Sequence, residues 1–395
     1  MRSRWFRILG PLLAVLALAL SACGRGSDAA ASNGPIKIGA WMPLTGPVAA
    51  SGVPQKTGTE VYFKWLNDHG GINGRTVQWI VKDNAYDPQQ TVQVARQLVG
   101  QDKVIAIVNA NGTAQAEAAF PFVLQQSKVP ILNELGGAAS WYSPPRPLLY
   151  GVQTLYEDQA AAIAGWAVQS GARRLLVVHS DPAAFLNVAK QAEPAAKQVD
   201  PGASVDLLPV KFQTTDYSPV VSQVRSRNPD AVLLILAAPE AAAYLKEAKL
   251  QGLHLPTYGY APTASAATLT LAGDAAEGFN AVQLVKSPND DDPAVGEFKD
   301  AMAKYAPGQP ADFIALWGWS NAKIFAEIAK TIKGPITAQS LVAAYQKASN
   351  VDDGVAPVMS FSTDAHLGTR QVQKITVKNG AWASVGDFFT PPARD

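Results

Sequence analysis

The sequence predicts an α/β protein with two lobes, each built on a doubly wound parallel sheet. Short β-rich apolar segments alternate with segments of helical periodicity from residue 36 onward. Several of these segments, such as Val104–Val108, are continuously apolar, which is typical of parallel strands buried on both faces. The alternation occurs in two successive series, and a chain of 395 residues is long enough to form two cores.

The first series begins with a predicted strand over 36–40 and a helix over 57–69, in which Val61 and Trp65 share one face. Asp87 followed by Pro88 predicts the capped start of another helix. The other elements predicted in this series are strands over 76–82, 104–108 and 129–132 and a helix over 113–126.

The second series begins near residue 157, and its helices and strands again alternate. The predicted strands cover 175–178, 205–210 and 231–236, and the predicted helices cover about 157–170, 183–199, 217–228 and 239–251. Beyond it, 294–349 has helical patterning and 355–388 has strand-like patterning.

The first 23 residues have a basic start, an apolar run from Ile8 to Leu20 and a small-residue end at Cys23. This pattern is typical of an export signal, and Leu-Ser-Ala-Cys resembles a bacterial lipobox. The resemblance implies cleavage before Cys23, a lipid on its sulfur and an extracytoplasmic protein anchored to a membrane. A transmembrane helix is disfavoured, because the apolar run is shorter than the roughly 20 residues that span a bilayer. An ordinary secretory signal remains the alternative. Residues 1–22 are then the signal peptide, and the Gly/Ser-rich segment 23–34 is a flexible tether.

The composition argues against several classes of protein. The signal segment carries three arginines and no acidic residue, so the formal net charge of +1 becomes −2 once it is removed, and no basic cluster indicates nucleic acid. Cys23 is the one cysteine, so no internal disulfide can form. The four histidines lack the spacing of metal ligands, and we expect neither a metal nor a cofactor.

The loops at the carboxyl ends of the predicted strands are the candidate binding region, because doubly wound sheets bind ligands there. Asn111, Gly112 and Thr113 follow a buried strand and precede a helix, whose free N–H groups favour an anionic group. Simple capping by Thr113 is the alternative. Gly136 and Gly137 follow the next strand, where they would permit close approach of a ligand or merely form a turn. No G-x-S-x-G, P-loop, H-E-x-x-H or G-x-G-x-x-G motif is present, so we expect no enzyme.

An ordered set of motifs resembles the solute-binding lipoproteins of branched-chain amino acid ABC transporters. The motifs are Ile36–Gly39, Pro43–Pro47, Gly70–Arg75, Asp87-Pro88, Asn228–Val232, Gly273–Gly278 and Phe361. The resemblance implies a type I periplasmic-binding-protein fold, with two lobes joined by three crossovers that close on a solute by hinge motion. It implies one lobe of 35–153 plus 284–354 and another of 154–283 plus 355–390.

The resemblance also implies a function and its partners. The chain would capture a small solute and deliver it to a membrane ABC permease, as a monomer held to the membrane by its lipid. A sensor of the same fold that signals to another protein stays open as an alternative. Family members bind amino acids, amides, urea or aromatic and carboxylic acids.

Binding residues carry over unevenly from the family. Thr113 keeps the hydroxyl that holds a carboxylate, whereas Leu135, Gly136 and Gly137 keep the backbone of a loop but lose its threonine. Ala261 stands where relatives place a glutamate for the ammonium group, which disfavours leucine, isoleucine and valine as ligands. Aromatic residues are missing near Ser51 and Ala238, Phe185 replaces another, and Tyr86 and Gly112 align where some relatives carry a disulfide.

The missing charge at Ala261 leaves two expectations for the ligand. Either Glu134 or Asp181 supplies the acid, or the ligand is an uncharged-to-anionic solute. In the second case Trp41, Tyr260 and Trp319 are the expected apolar walls. Trp317 and Trp319 are two residues apart, so they cannot share a helix face, and one is expected in the core and the other at a cleft.

Overall fold

The computed structural model describes residues 34–46 and 48–393. The predicted signal segment and Cys23 lie outside these residues. The elements of the first part of the chain are β1 Ile36–Met42, α1 Ala49–Asp68, β2 Val77–Asp83, α2 Pro88–Gly100, β3 Ile107–Val108, α3 Thr113–Phe120, β4 Ile131–Glu134 and β5 Leu149–Gly151.

The second part of the chain continues the alternation and ends in a hairpin. Its elements are α4 Tyr156–Gln169, β6 Arg174–Ser180, α5 Ala183–Ala189, α6 Ala192–Val199, β7 Ser204–Val210, α7 Ser218–Arg227, β8 Ala231–Ile235, α8 Ala238–Leu250, β9 Thr257–Gly259, α9 Ala266–Ala272, β10 Asn280–Gln283, α10 Pro293–Tyr305, α11 Phe313–Lys330, α12 Ala338–Tyr345, β11 Gln373–Lys378 and β12 Ala381–Ser384.

The strands form two sheets, which confirms the predicted fold class. The first has the order β2-β1-β3-β4-β5 with parallel pairing, and in the second β7-β6-β8-β9-β10 are likewise parallel. Each order reverses beside its first strand, which creates a topological switch point at the carboxyl ends of the strands. The two switch points are the places where doubly wound sheets bind ligands.

The second sheet also has an antiparallel edge that a purely parallel prediction does not contain. β11 pairs antiparallel with β10 and β12 pairs antiparallel with β11. The two-residue turn Asn379-Gly380 joins β11 to β12, and both residues have positive φ, 54° and 74°. Asn-Gly is the preferred sequence for such a turn, because its twist matches that of the flanking strands.

The chain passes between the two sheets three times. It leaves the first sheet after β5, returns after β10 to place α10–α12, and goes back to the second sheet for β11 and β12. The connections touch one another, since the Gly151 N–H donates to the His366 carbonyl at 2.9 Å and the Lys286 N–H to the Val355 carbonyl at 2.9 Å. Three adjoining connections favour a hinge. The single-residue lobe boundaries stay a prediction.

Three local predictions were wrong for identifiable reasons. The helix predicted over 113–126 becomes a π-helical turn at Pro121, which has no N–H to donate to the preceding turn. The helix predicted over 183–199 divides before α6, because Pro194 cannot donate to the Lys190 carbonyl. β3 is shorter than the predicted strand, because its neighbour Pro130 lacks the N–H that would pair with residue 105.

Two glycines let α1 and α11 pack very closely. A Cβ on Gly58 would lie 1.8 Å from the Ala315 carbonyl oxygen, and one on Gly318 would lie 2.2 Å from the Gln55 carbonyl oxygen. The Thr59 hydroxyl donates to the Gly318 carbonyl at 3.0 Å across this contact. The late helix α11 is therefore fixed against the first helix of the chain.

We predict that Gly58→Ala destabilises the protein by about 2 kcal/mol or more, because the new methyl group overlaps backbone that cannot move freely. Gly296→Ala is the matched control, since Gly296 lies inside helix α10 and a Cβ there meets nothing within 4 Å. The control is expected to be neutral or stabilising by about 0.5–1 kcal/mol. Urea unfolding measures both, and equal stability of the two variants would contradict the close contact.

Candidate functional site

A cavity of about 450 Å³ lies between the two lobes, at the carboxyl ends of both sheets. The first lobe contributes the starts of α1 and α11 and the loops after β2, β3 and β4. The second contributes the starts of α4, α8 and α9 and the end of β10. The cavity therefore sits at the position that the two switch points predict.

A separate groove of about 550 Å³ lies between α1 and α10 and includes Trp65, His69 and Lys304. Its walls come from one lobe only, and it is more open to solvent. It is not the interlobe site.

The first wall of the cavity is held by carboxamide hydrogen bonds. The Asn111 Nδ2 donates to the Gln55 Oε1 at 2.5 Å, and the Gln55 Nε2 donates to the Asn109 carbonyl at 3.3 Å. Asn109 also donates to the Gly318 carbonyl, so the chain of contacts reaches the α1–α11 packing. Asn111, predicted from the sequence, thus lines the cavity on a rigid support.

Tyr156 covers the loop that the sequence favours for an anionic ligand. Burial raises the pKa of Tyr156, and hydrogen bonds with the side chains of Gln153 and Thr113 partly offset the rise. A Cβ on Gly137 would meet the Tyr156 ring at 2.8 Å, and one on Gly136 would meet the Trp141 ring at 2.4 Å. The two glycines therefore make room for aromatic side chains rather than for a solute.

Tyr156 and Gln153 accordingly line the cavity, whereas Gly112, Thr113, Gly136 and Gly137 do not. Thr113 does begin α3, as predicted, and Gly112 precedes it with a φ of 119°. Their part in binding stays a prediction, and Tyr156, which bonds to Thr113, lines the cavity in this structure.

The predicted aromatic walls divide into core residues and cleft residues. Trp41 is 0 % exposed within the core of the first lobe, and Trp319 is 0 % exposed against Tyr62, with ring centroids 5.0 Å apart. Neither reaches the cavity, which corrects the expectation for both. Trp317, on the other face of α11, lines the cavity instead.

The second lobe places its predicted residues at different depths. Ala261 lines the cavity, and its N–H donates to the Gln159 Oε1 at 3.1 Å. Tyr260 is buried behind Tyr156, with ring centroids 6.0 Å apart. Phe185 packs on Phe212 outside the cavity, with centroids 5.7 Å apart, because its helix lies beside β6 and β7 rather than at the switch point.

Leu135, Ser51, Ala238 and Tyr86 also line the cavity. Burial raises the pKa of Tyr86 to about 12, and the neighbouring Tyr156 adds to the rise. Tyr86 and Tyr156 both line the cavity. Ser51 and Ala238, where the resemblance leads us to expect aromatic residues, therefore leave the cavity wall without an aromatic ring at these two positions.

The two acids considered as substitutes for the charge missing at Ala261 both lie elsewhere. Glu134 is 0 % exposed inside β4, where burial raises its pKa well above the usual range. Asp181 is exposed, and its carboxylate accepts the Phe212 N–H at 3.1 Å. Among the described residues, Asp312 is the charged one that lines the cavity, and it was not among the site residues predicted from the sequence.

The described residues contain no cluster of three or more histidine, cysteine or acidic side chains that would hold a metal ion. Within the same residues, no helix combines the length and apolar character needed to span a bilayer.

The sequence profile of the periplasmic binding proteins matches residues 35–381. The chain belongs to this family. Its fold is the type I periplasmic-binding-protein fold, and its curated relatives include proteins named Leu/Ile/Val-binding. The family implies an extracytoplasmic location.

Three relatives illustrate the range of similarity. The Leu/Ile/Val-binding protein homolog 7 of Brucella abortus is 26% identical over 337 residues, which cover 80% of this chain and 82% of that protein. A Thermus thermophilus branched-chain amino acid ABC transporter protein with bound valine has a TM-score of 0.79 at 23% identity, covering 90% of this chain and 97% of that one. A fatty acid ABC transporter substrate-binding protein from Thermomonospora curvata has a TM-score of 0.78 at 24% identity, covering 92% and 96%.

We predict that solute binding changes the tryptophan fluorescence of the protein mainly through Trp317, because this indole lines the cavity. Trp317→Phe is expected to remove most of the change while keeping a large apolar ring in place. Trp166→Phe is the control, since Trp166 packs on Tyr258 near the far end of α4. An unchanged signal in Trp317→Phe would place the solute elsewhere.

Proposed function

We propose that the protein is the solute-binding lipoprotein of an ABC importer, and that it captures a small organic solute between its lobes and delivers it to a membrane permease. The observation that carries the proposal is the interlobe cavity of about 450 Å³. Its size suits an amino acid, an amide, a urea or a small carboxylic acid.

The arrangement of the connections supports capture by closure. Walls from two lobes meet across the cavity, and the three connections between the lobes adjoin one another. Rotation about such a hinge separates the walls and brings them together again. Membership in the periplasmic binding protein family agrees with this use of the fold.

A thermal-shift screen tests solute capture with amino acids, amides, ureas and aromatic and aliphatic carboxylic acids as probes. A ligand at one hundred times its Kd stabilises a protein by about 2.7 kcal/mol, so a true solute raises the melting temperature by several degrees. Ala238→Trp places a large ring in the cavity and is expected to abolish the rise in melting temperature. Ala303→Trp, on the exposed face of α10, is the control that keeps it. No stabilisation by any probe would contradict solute capture.

The lipid anchor is tested separately. Cleavage before Cys23 followed by lipid attachment to its sulfur would hold the protein on a membrane. We expect Cys23→Ser to release the protein from the membrane fraction or to block its maturation, with no loss of solute binding in the released protein. Mass spectrometry of the mature wild-type N-terminus checks the modification, and an unmodified thiol at Cys23 would refute it.

A further inference from the structure

We propose that Asp312 sets the charge preference of the cleft, and that the solute presents a positively charged nitrogen, ammonium or amidinium, to its carboxylate. This inference rests on the proposed function, since it names the solute class of the same cavity.

The charged side chains around the cavity are of one sign. Asp312 is the one charged side chain on the cavity wall among the described residues, and the other polar groups there are carboxamides and hydroxyls. Within residues 34–46 and 48–393, no lysine, arginine or histidine lines the cavity to balance an anionic solute. Among its side chains, the cleft therefore carries a net negative charge, located at Asp312.

The carboxylate of Asp312 has one oxygen committed and one available. Its Oδ1 caps α11 by accepting the N–H groups of Ile314 at 3.0 Å and Ala315 at 2.9 Å. No protein donor in the described part of the chain bonds to its Oδ2. Because Asp312 lines the cavity, Oδ2 is the acceptor that a solute can reach.

Asp292, which caps α10, differs from Asp312 in having a cationic partner. Asp292 caps α10 in the same way but also pairs with Lys286 at 2.5 Å, and its pKa is lowered although burial opposes the change. For Asp312 burial dominates and raises the pKa, since its backbone hydrogen bonds offset only part of the cost. A cation at Oδ2 would supply the compensation that Lys286 gives to Asp292.

The surroundings of Asp312 strengthen such a pair. Phe313, Ile314 and Trp317 line the cavity on the same helix and exclude water when the lobes close. An ion pair is stronger in a site with less water, because the local dielectric constant falls. Ala261, on the opposite wall, carries no charge, so the carboxylate that faces the cavity comes from the first lobe.

Calorimetry with isosteric probes tests the inference on the mature protein purified in detergent. The triad benzoate, benzamide and benzamidine keeps one shape and varies the charge, and 4-methylpentanoate, 4-methylpentanamide and 4-methylpentanamidine do the same for an aliphatic chain. We expect the cationic member of at least one triad to bind tenfold or more tightly than its anionic member. Tightest binding by an anion, or no binding by any nitrogen cation, would overturn the inference.

Asp312→Asn isolates the charge, because asparagine caps a helix about as well as aspartate. The variant is expected to bind the cationic probe about tenfold to a hundredfold more weakly and the neutral amide with similar affinity. Asp87→Asn, at the exposed cap of α2, is the matched control and should change neither affinity. A cation preference that persists in Asp312→Asn would remove this residue from its role.

The outcomes separate the inference from the proposed function. If the probes show that only neutral or anionic solutes bind in the cleft, the role of Asp312 falls and solute capture stands. If neither these probes nor the wider thermal-shift panel binds, both fall.

Discussion

The close packing of α1 on α11 is the contact on which the architecture of the cleft depends. Gly58 and Gly318 allow the two backbones to approach, and the Thr59 hydroxyl bonds across the contact to the Gly318 carbonyl at 3.0 Å. Tyr62 and Trp319 then pack edge to face, with ring centroids 5.0 Å apart. Since α11 follows all the parallel strands of the second sheet in the chain, this contact ties a late segment to the first lobe.

The same contact sets one wall of the cavity. The start of α1 places Ser51 and Gln55 at the cleft, and the start of α11 places Asp312 and Trp317 beside them. Asn109 extends the support, because its side chain donates to the Gly318 carbonyl while its own carbonyl accepts from Gln55. Core packing and solute contacts are therefore built on the same helices.

Most of the fold could be predicted from the sequence because its signals are local. Continuous apolar strands and helical periodicity identified the alternation, and Asp87 caps α2 at the predicted position. Two errors came from prolines inside the predicted helices, Pro121 and Pro194, whose signal is local. The third occurred where a partner distant in sequence decides, because Pro130 removes a ladder bond from β3. Local patterning does not reveal such partners.

The site was less predictable, because its residues come from segments far apart in the chain. Asn111, Leu135 and Ala261 were placed in the binding region and do line the cavity. Spacing showed that Trp317 and Trp319 face opposite ways but not which one packs on α1. Asp312 has the local sequence of a helix cap, and only the return of α11 to the first lobe brings its carboxylate to the cleft.

A crystal structure of the protein with the solute that gives the largest thermal shift tests most directly whether the interlobe cavity is the binding site. The expected result is density between Asn111 and Trp317 on one wall and Ala238 and Ala261 on the other, with the lobes closed around it. Density in the groove between α1 and α10, beside Trp65 and Lys304, would contradict this assignment.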